Sequence, residues 1–217
     1  MQNWEVQIIN LSIGFVADNL NYLERRIVRR ALRYAREHNV VIFAAAANSG
    51  NREAIAFPAS ETDFVLSMNS TDGNGHKSDS NPPAAPEIKL DPNFSILGED
   101  ILSTWLQAAL DKDPREAGVV KKKGAAWKRA RGTSQATTIA ACVTLLIMQF
   151  GRQYGIDGSL ELESLAGIRK ILTCMAEERT FQRFQDIVPW KTVFRMVVNN
   201  ESDGIFKIKC MIEEELK

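Results

Sequence analysis

The chain has 217 residues, 45% of them hydrophobic and 25% charged, with 13 Gly and 7 Pro, which excludes collagen-like, low-complexity and broadly disordered chains. That length fits one soluble domain or one domain with an appendage, and it buries enough surface for a core without staples. Lys plus Arg and Asp plus Glu both total 27, so no net field makes the whole chain a polyanion binder, and no nucleic-acid partner is expected.

Cys142, Cys174 and Cys210 are odd in number, far apart and free of any C-x-x-C, which argues against a disulfide framework or a cysteine zinc site and for a reducing compartment. The first residues lack the basic region of a secretory signal, and the longest apolar run, 139–148, is too short to span a bilayer. The expectation is a cytoplasmic protein with no membrane partner, no metal and no other cofactor.

In chain order, the β-branched run 6–11 predicts a buried strand followed by a turn at Ser12, Ile13 and Gly14. From Asp18 or Asn19 as cap, Leu20, Leu23, Ile27, Val28, Ala31, Leu32 and Ala35 recur at helical spacing until Asn39, with arginines toward solvent. Residues 40–46 form a continuous apolar strand, so strand, helix and strand make the parallel crossover of an α/β protein. Residues 64–68 predict a third strand, 71–81 a polar loop, and 94–103 one further strand. The basic run 121–131 reads as a solvated linker. Residues 133–150 are small or apolar on nearly every face, which predicts a helix buried inside the fold. The expected division is 1–150 as the main domain and 151–217 as a helical extension.

Two places combine small residues, a hydrogen-bonding side chain and the end of a regular element. Ala44-Ala45-Ala46-Ala47-Asn48-Ser49-Gly50 delivers Asn48 at the carboxyl end of a buried strand, the edge where parallel sheets carry ligands. Gly132-Thr133-Ser134-Gln135-Ala136-Thr137 opens the buried helix with Ser134 in its first turn, where unpaired N–H groups and the helix dipole favour developing negative charge. A serine oxygen there is placed to attack a carbonyl. No G-x-G-x-x-G or G-x-x-x-x-G-K-[ST] follows any strand, which disfavours nucleotide binding.

With Ile9-Asn10-Leu11-Ser12-Ile13-Gly14, these segments resemble, in this order, the subtilisin-like serine peptidases over residues 6–150. The segment around Asn48 is similar to the family's A-A-A-x-N-x-G, and that around Ser134 to its nucleophile motif G-T-S-x-A-[ST]. Phe57-Pro58-Ala59 and Leu97-Gly98-Glu99 resemble the intracellular fungal branch. The resemblance implies an α/β three-layer fold with a mostly parallel sheet, its amino-terminal part missing. It implies Ser134 as nucleophile and Asn48 with the Ser134 N–H as oxyanion hole. It also implies Ser12, Ile13 and Gly14 as partners of the substrate backbone, and Ala45 and Ala46 at the primary specificity pocket. The implied activity is endopeptidase hydrolysis of a peptide or protein substrate through a Ser134 acyl-enzyme.

The departures bear on activity. Neither the family's D-[ST]-G aspartate motif nor its H-G-T histidine motif is present, and without a base a serine hydroxyl is a poor nucleophile. His38 precedes a whole strand and lies roughly 20–30 Å from Asn48 at about 3.3 Å per residue; His76 sits in a polar loop. Thr138 stands where the family usually has Pro, and Cys142 where it has Gly. The expectation is an inactive chain that needs an upstream Asp- and His-bearing segment; the alternative is a non-catalytic peptide-binding or regulatory module.

Overall fold

The apolar run near the amino terminus forms strand β1 (Ile8–Leu11), which pairs in parallel with β2 (Val41–Ala45), Ile8 opposite Val41 and Leu11 opposite Ala44. The structure is a computed structural model, and it describes residues 5–16, 19–84, 93–105, 119–122, 125–156, 159–179, 184–191 and 201–216. Between the two strands runs α1 (Tyr22–Glu37). Its cap is Asn21 rather than Asn19, because Asn21 and Glu24 satisfy each other reciprocally: the Asn21 side chain accepts the Glu24 N–H at 3.0 Å, and the Glu24 carboxylate accepts the Asn21 N–H at 2.8 Å. Asp18 lies outside the described residues. Asn39 stops the helix at φ 54°, a conformation that asparagine tolerates.

All five residues of β2 are buried, and period-two alternation divides them between two cores. Val41 and Phe43 face the larger cluster, while Ile42 and Ala44 pack with Leu32 of α1 and with Ala59, Phe64 and Val65. The sheet is therefore the middle layer. Its order is β1-β2-β3-β4-β9-β8, with β3 (Leu66–Thr71), β4 (Phe94–Leu97), β8 (Ala176–Arg179) and β9 (Phe184–Ile187). The pairs from β1 to β9 are all parallel, and β8 alone runs antiparallel to its neighbour.

Strand β3 begins at Leu66 and continues past Met68 through Asn69, Ser70 and Thr71, all buried and polar, the last of them expected in the following loop. Partners make this possible. Asn69 Nδ2 donates to the Phe94 carbonyl at 3.1 Å, the Asn81 amide brackets the Ser70 backbone at 2.9 and 2.8 Å, and Thr71 Oγ1 donates to Asp186 at 2.9 Å.

The single strand expected over 94–103 is two strands in two sheets. After Gly98, Glu99 and Asp100 the chain enters β5 (Ile101–Trp105), which joins β6 (Val119–Lys122) and β7 (Ala125–Ala130) in an antiparallel sheet of order β5-β7-β6. Most of the supposed basic linker is thus strand. Alternation sends neighbours to opposite faces: Lys128 Nζ lies 4.1 Å from the centre of the Trp105 ring, while Arg129 pairs with Asp100 at 2.5 Å. Lys121 and Lys122 belong to β6, and Lys123 lies outside the described residues.

Helix α2 (Thr133–Tyr154) packs against β1, β2, β3 and β4. Its length and apolar composition alone would suit a membrane span, but half of its most apolar window is buried inside the protein. Helices α3 (Ser159–Leu162), α4 (Leu165–Cys174) and α5 (Glu201–Leu216) continue this layer. Residues 151–217 are not wholly helical, because they also supply β8 and β9. Asp186 of β9 is buried and accepts from Thr71 and, at 3.4 Å, from Ser95, which bonds this segment into the main sheet.

Candidate active site

The carboxyl end of β1 and the amino end of α2 meet at two serines. Ser12 Oγ donates to the Ser134 carbonyl at 3.1 Å, and Ser134 Oγ donates to the Ser12 carbonyl at 3.4 Å. Thr138, one turn along α2, also donates to the Ser134 carbonyl, at 3.0 Å, and accepts from Asn10 Nδ2 at 2.9 Å. A proline at position 138 would have no hydroxyl for either bond, so this departure from the family pattern adds a tie between β1 and α2.

Asn48 reaches the same helix end from β2. Its Oδ1 accepts the Thr133 N–H at 2.8 Å and the Thr133 hydroxyl at 3.2 Å. These bonds identify the amide oxygen, and since the two polar atoms of an amide diverge, they turn Nδ2 away from Thr133 as an available donor. The Ser134 N–H lies in the first turn of α2, where backbone donors have no partner within the helix. The same helix end thus carries the Asn48 amide, bound at Thr133, and the hydroxyl and first-turn N–H of the next residue, Ser134.

Backbone geometry enforces this closeness. Gly132 caps α2 at φ 126°, and a Cβ there would lie 2.7 Å from Asn48 Oδ1. Only glycine leaves the room. Ala47, immediately before Asn48, takes φ 139° despite its side chain, a strained conformation of the sort that well-supported sites retain.

Ser12, Ile13 and Gly14 continue the chain beyond β1 outside regular secondary structure, with Ile13 56% exposed. Gly14 runs close to a second wall: a Cβ on it would lie 2.9 Å from Ala56 Cβ, 3.7 Å from the Ala45 carbonyl and 3.8 Å from the Phe57 carbonyl. Phe15 and Phe57 bridge the two walls with paired backbone bonds of 2.7 and 2.9 Å. Ala45 and Ala46 are buried, so their methyl groups belong to the core, and Ala45 meets Gly14 through its backbone. Ala56 is the wall residue that the sequence does not single out; its only signal is its place next to Phe57-Pro58-Ala59.

A cleft of about 400 Å³ opens on Ser134, lined among others by Ser12, Thr104, Trp105, Lys128 and Gln135. Neither histidine lines it. His38 Nδ1 meets the Tyr34 carbonyl at 2.8 Å at the end of α1. His76 pairs with Asp72 at 3.0 Å in a separate polar cleft of about 310 Å³ that also holds Glu99 and Arg131. Hydrogen bonds shape that loop: burial acts to raise the Asp72 carboxyl, but bonds from the His76 ring and from the His76 and Asn74 amides outweigh it and hold it below the ordinary carboxylate value. Among the described residues no three or more His, Cys, Asp or Glu side chains gather where they could hold a metal.

Residues 1–182 match the subtilase family. The chain belongs to that family. This subtilase chain is 27% identical over 187 residues to the subtilisin-like protease het-Q2 of Podospora anserina, a match covering 80% of the chain but 45% of that relative. Among solved structures it is similar to the prenylagaramide maturation protease PagA, with a TM-score of 0.61 at 21% identity, over 97% of this chain and 62% of that one. A PatG macrocyclase in complex with peptide is similar with a TM-score of 0.59 at 16% identity, over 94% and 51% of the two chains. These likenesses show the subtilisin-like α/β fold. The chain spans about half the length of the curated relative it matches.

Proposed function

We propose that this subtilase chain carries the nucleophile half of a serine endopeptidase site. In this reading Ser134 attacks the substrate carbonyl, and Asn48 Nδ2 and the Ser134 N–H hold the oxyanion that forms. Residues 12–14 pair with the substrate backbone beside Ala56 and Phe57, with Ala45 and Ala46 backing the primary specificity pocket through their backbone rather than their buried methyl groups. The observation that carries it is the Asn48–Thr133 bond, which presents the amide nitrogen as a preorganised donor beside the helix end where the oxyanion develops.

The hydroxyl proton supports the second element of the proposal, that this chain alone does not hydrolyse peptides. Ser134 Oγ donates to a carbonyl oxygen, which accepts a hydrogen bond but is far too weak a base to take the proton. A general base must come within about 2.6–3.2 Å of Oγ. The cleft beside Ser134 has room for one, and among the described residues no strand pairs with the outer edge of β1, at the end of the sheet order. An upstream segment bearing Asp and His fits both places. The same hydroxyl bond favours the second reading, a non-catalytic module that binds peptides along residues 12–14.

An organophosphonate serine probe separates the two readings. The chain by itself stays unlabelled under either. Supplying an Asp- and His-bearing upstream segment restores labelling at Ser134 if the peptidase reading holds, whereas continued inertness with retained peptide binding supports the module. A cytoplasmic location is part of the proposal, supported by three unpaired thiols and tested by cell fractionation.

A further inference from the structure

Helix α1 has two apolar faces, and the fold uses one. Val28, Leu32 and Ala35 pack against the sheet. Leu23 lies nine residues before Leu32, two and a half helical turns, and therefore on the opposite side. From it Leu23, Ile27, Arg30 and Tyr34 recur at intervals of four, three and four, the spacing of a helix–helix seam. Leu23, Ile27 and Tyr34 are 64%, 70% and 64% exposed. An aligned row of large apolar side chains in water marks an interaction surface more than scattered ones do.

The charges beside the row are mostly positive. Arg26 and Arg33 directly precede Ile27 and Tyr34, which places both on the same flank of the seam, and a cleft of about 600 Å³ on this side of the helix is lined by Arg26, Arg29, Arg30 and Arg33, with Glu37 the one acidic residue. Glu61 neutralises Arg29 through two bonds of 2.7 and 3.1 Å. Arg26 and Arg30 make no ion pair among the described residues, and Arg33 lies over the Phe64 ring at 5.8 Å. The helix holds six arginines against Glu24 and Glu37.

We infer that the outer face of α1 docks an amphipathic α-helix of a partner protein whose Leu or Ile seam is flanked by Glu or Asp. Apolar side chains of the partner cover Leu23, Ile27 and Tyr34, and its carboxylates meet Arg26, Arg30 and Arg33. A second copy using the same face sets arginine against arginine. A membrane surface fits less well, because the apolar row is one residue wide and is interrupted by Arg30, whereas an interfacial helix buries a broad apolar face.

The test measures binding of labelled peptides of about four heptads to the whole chain, with Leu at the seam and Glu on the flanks, so that the peptide's own charges oppose self-pairing. The Glu peptide binds at least about tenfold more tightly than its Lys counterpart, and Arg26→Glu with Arg33→Glu reverses that preference. Ile27→Asp weakens the Glu peptide by about tenfold while the melting temperature holds, since this side chain is already in water. Equal binding of the two peptides, binding of neither, or a stronger preference for phosphatidylserine vesicles that Ile27→Asp removes, overturns the inference.

Discussion

Ser12 and Ser134, 122 positions apart, exchange hydrogen bonds: each hydroxyl donates to the other's carbonyl, at 3.1 and 3.4 Å. The pair couples the segment proposed to hold substrate to the proposed nucleophile. Ser134→Ala removes one of the two bonds, and the net loss expected for a bond of this kind is about 0.5–1.5 kcal/mol. In a chain supplied with an upstream base, however, it abolishes acyl-enzyme formation. Intact-mass measurement after incubation with an organophosphonate checks this, and covalent label on the alanine variant would falsify the nucleophile assignment.

Asn48 has one observed task, accepting the Thr133 N–H, and one proposed, holding the oxyanion, and two substitutions divide them. Asn48→Asp keeps an oxygen to accept the Thr133 N–H but loses the donor, so the melting temperature holds while turnover of the reconstituted enzyme falls by roughly 10²–10³, the loss expected when one oxyanion donor goes. Asn48→Ala loses both and leaves the Thr133 N–H unpaired, adding a destabilisation of about 1–3 kcal/mol. A mutant that mainly raises KM with kcat intact places Asn48 in ground-state binding instead.

Backbone strain at Ala47 predicts a stabilising substitution. At φ 139° glycine carries no steric penalty, so Ala47→Gly raises stability by about 1 kcal/mol, the strain relieved less the added freedom of the unfolded chain. Gly132→Ala acts in the opposite direction, because its Cβ meets Asn48 Oδ1 at 2.7 Å. Urea unfolding of the two variants checks both signs, and equal midpoints would remove the strain argument.

Two of the three thiols differ in exposure and ionisation. Burial, together with Glu215, pushes the Cys174 thiol up, and Cys142 is exposed on α2. The thiolate is the reactive form, so iodoacetamide at neutral pH modifies Cys142 well before Cys174. Peptide mapping over time shows the order, and faster reaction at Cys174 contradicts the packing of α4 against α5.

Acid loosens the loop that carries His76. The folded-state value of Asp72 lies below its unfolded one, so its stabilisation is complete above the ordinary carboxylate value near about 4 and is lost as pH falls through the folded value. Amide exchange at Asn74 and His76, whose N–H groups Asp72 accepts at 2.8 and 2.9 Å, accelerates below that range relative to the main sheet. Unchanged relative protection at pH 3 counts against the Asp72 cap.

Local pattern alone determines the β1–α1–β2 crossover, the buried α2, and the presence of Ser134 at a helix start and Asn48 at a strand end. Each follows from periodicity or from a short run of residue types, and these are properties of neighbours in the chain. The tertiary structure alone decides what lies far apart in sequence. Charged residues at 128 and 129 and polar residues at 185 and 186 hide β7 and β9, which become strands only because Asp100, Trp105, Thr71 and Ser95 wait opposite them. The site follows the same division. Its residue types are legible along the chain, but the orientation of the Asn48 amide comes from Thr133, 85 positions away, and the resting place of the Ser134 proton comes from Ser12. A hydrogen bond fixes direction as well as contact, and direction across such distances is created only when the sheet and α2 pack together.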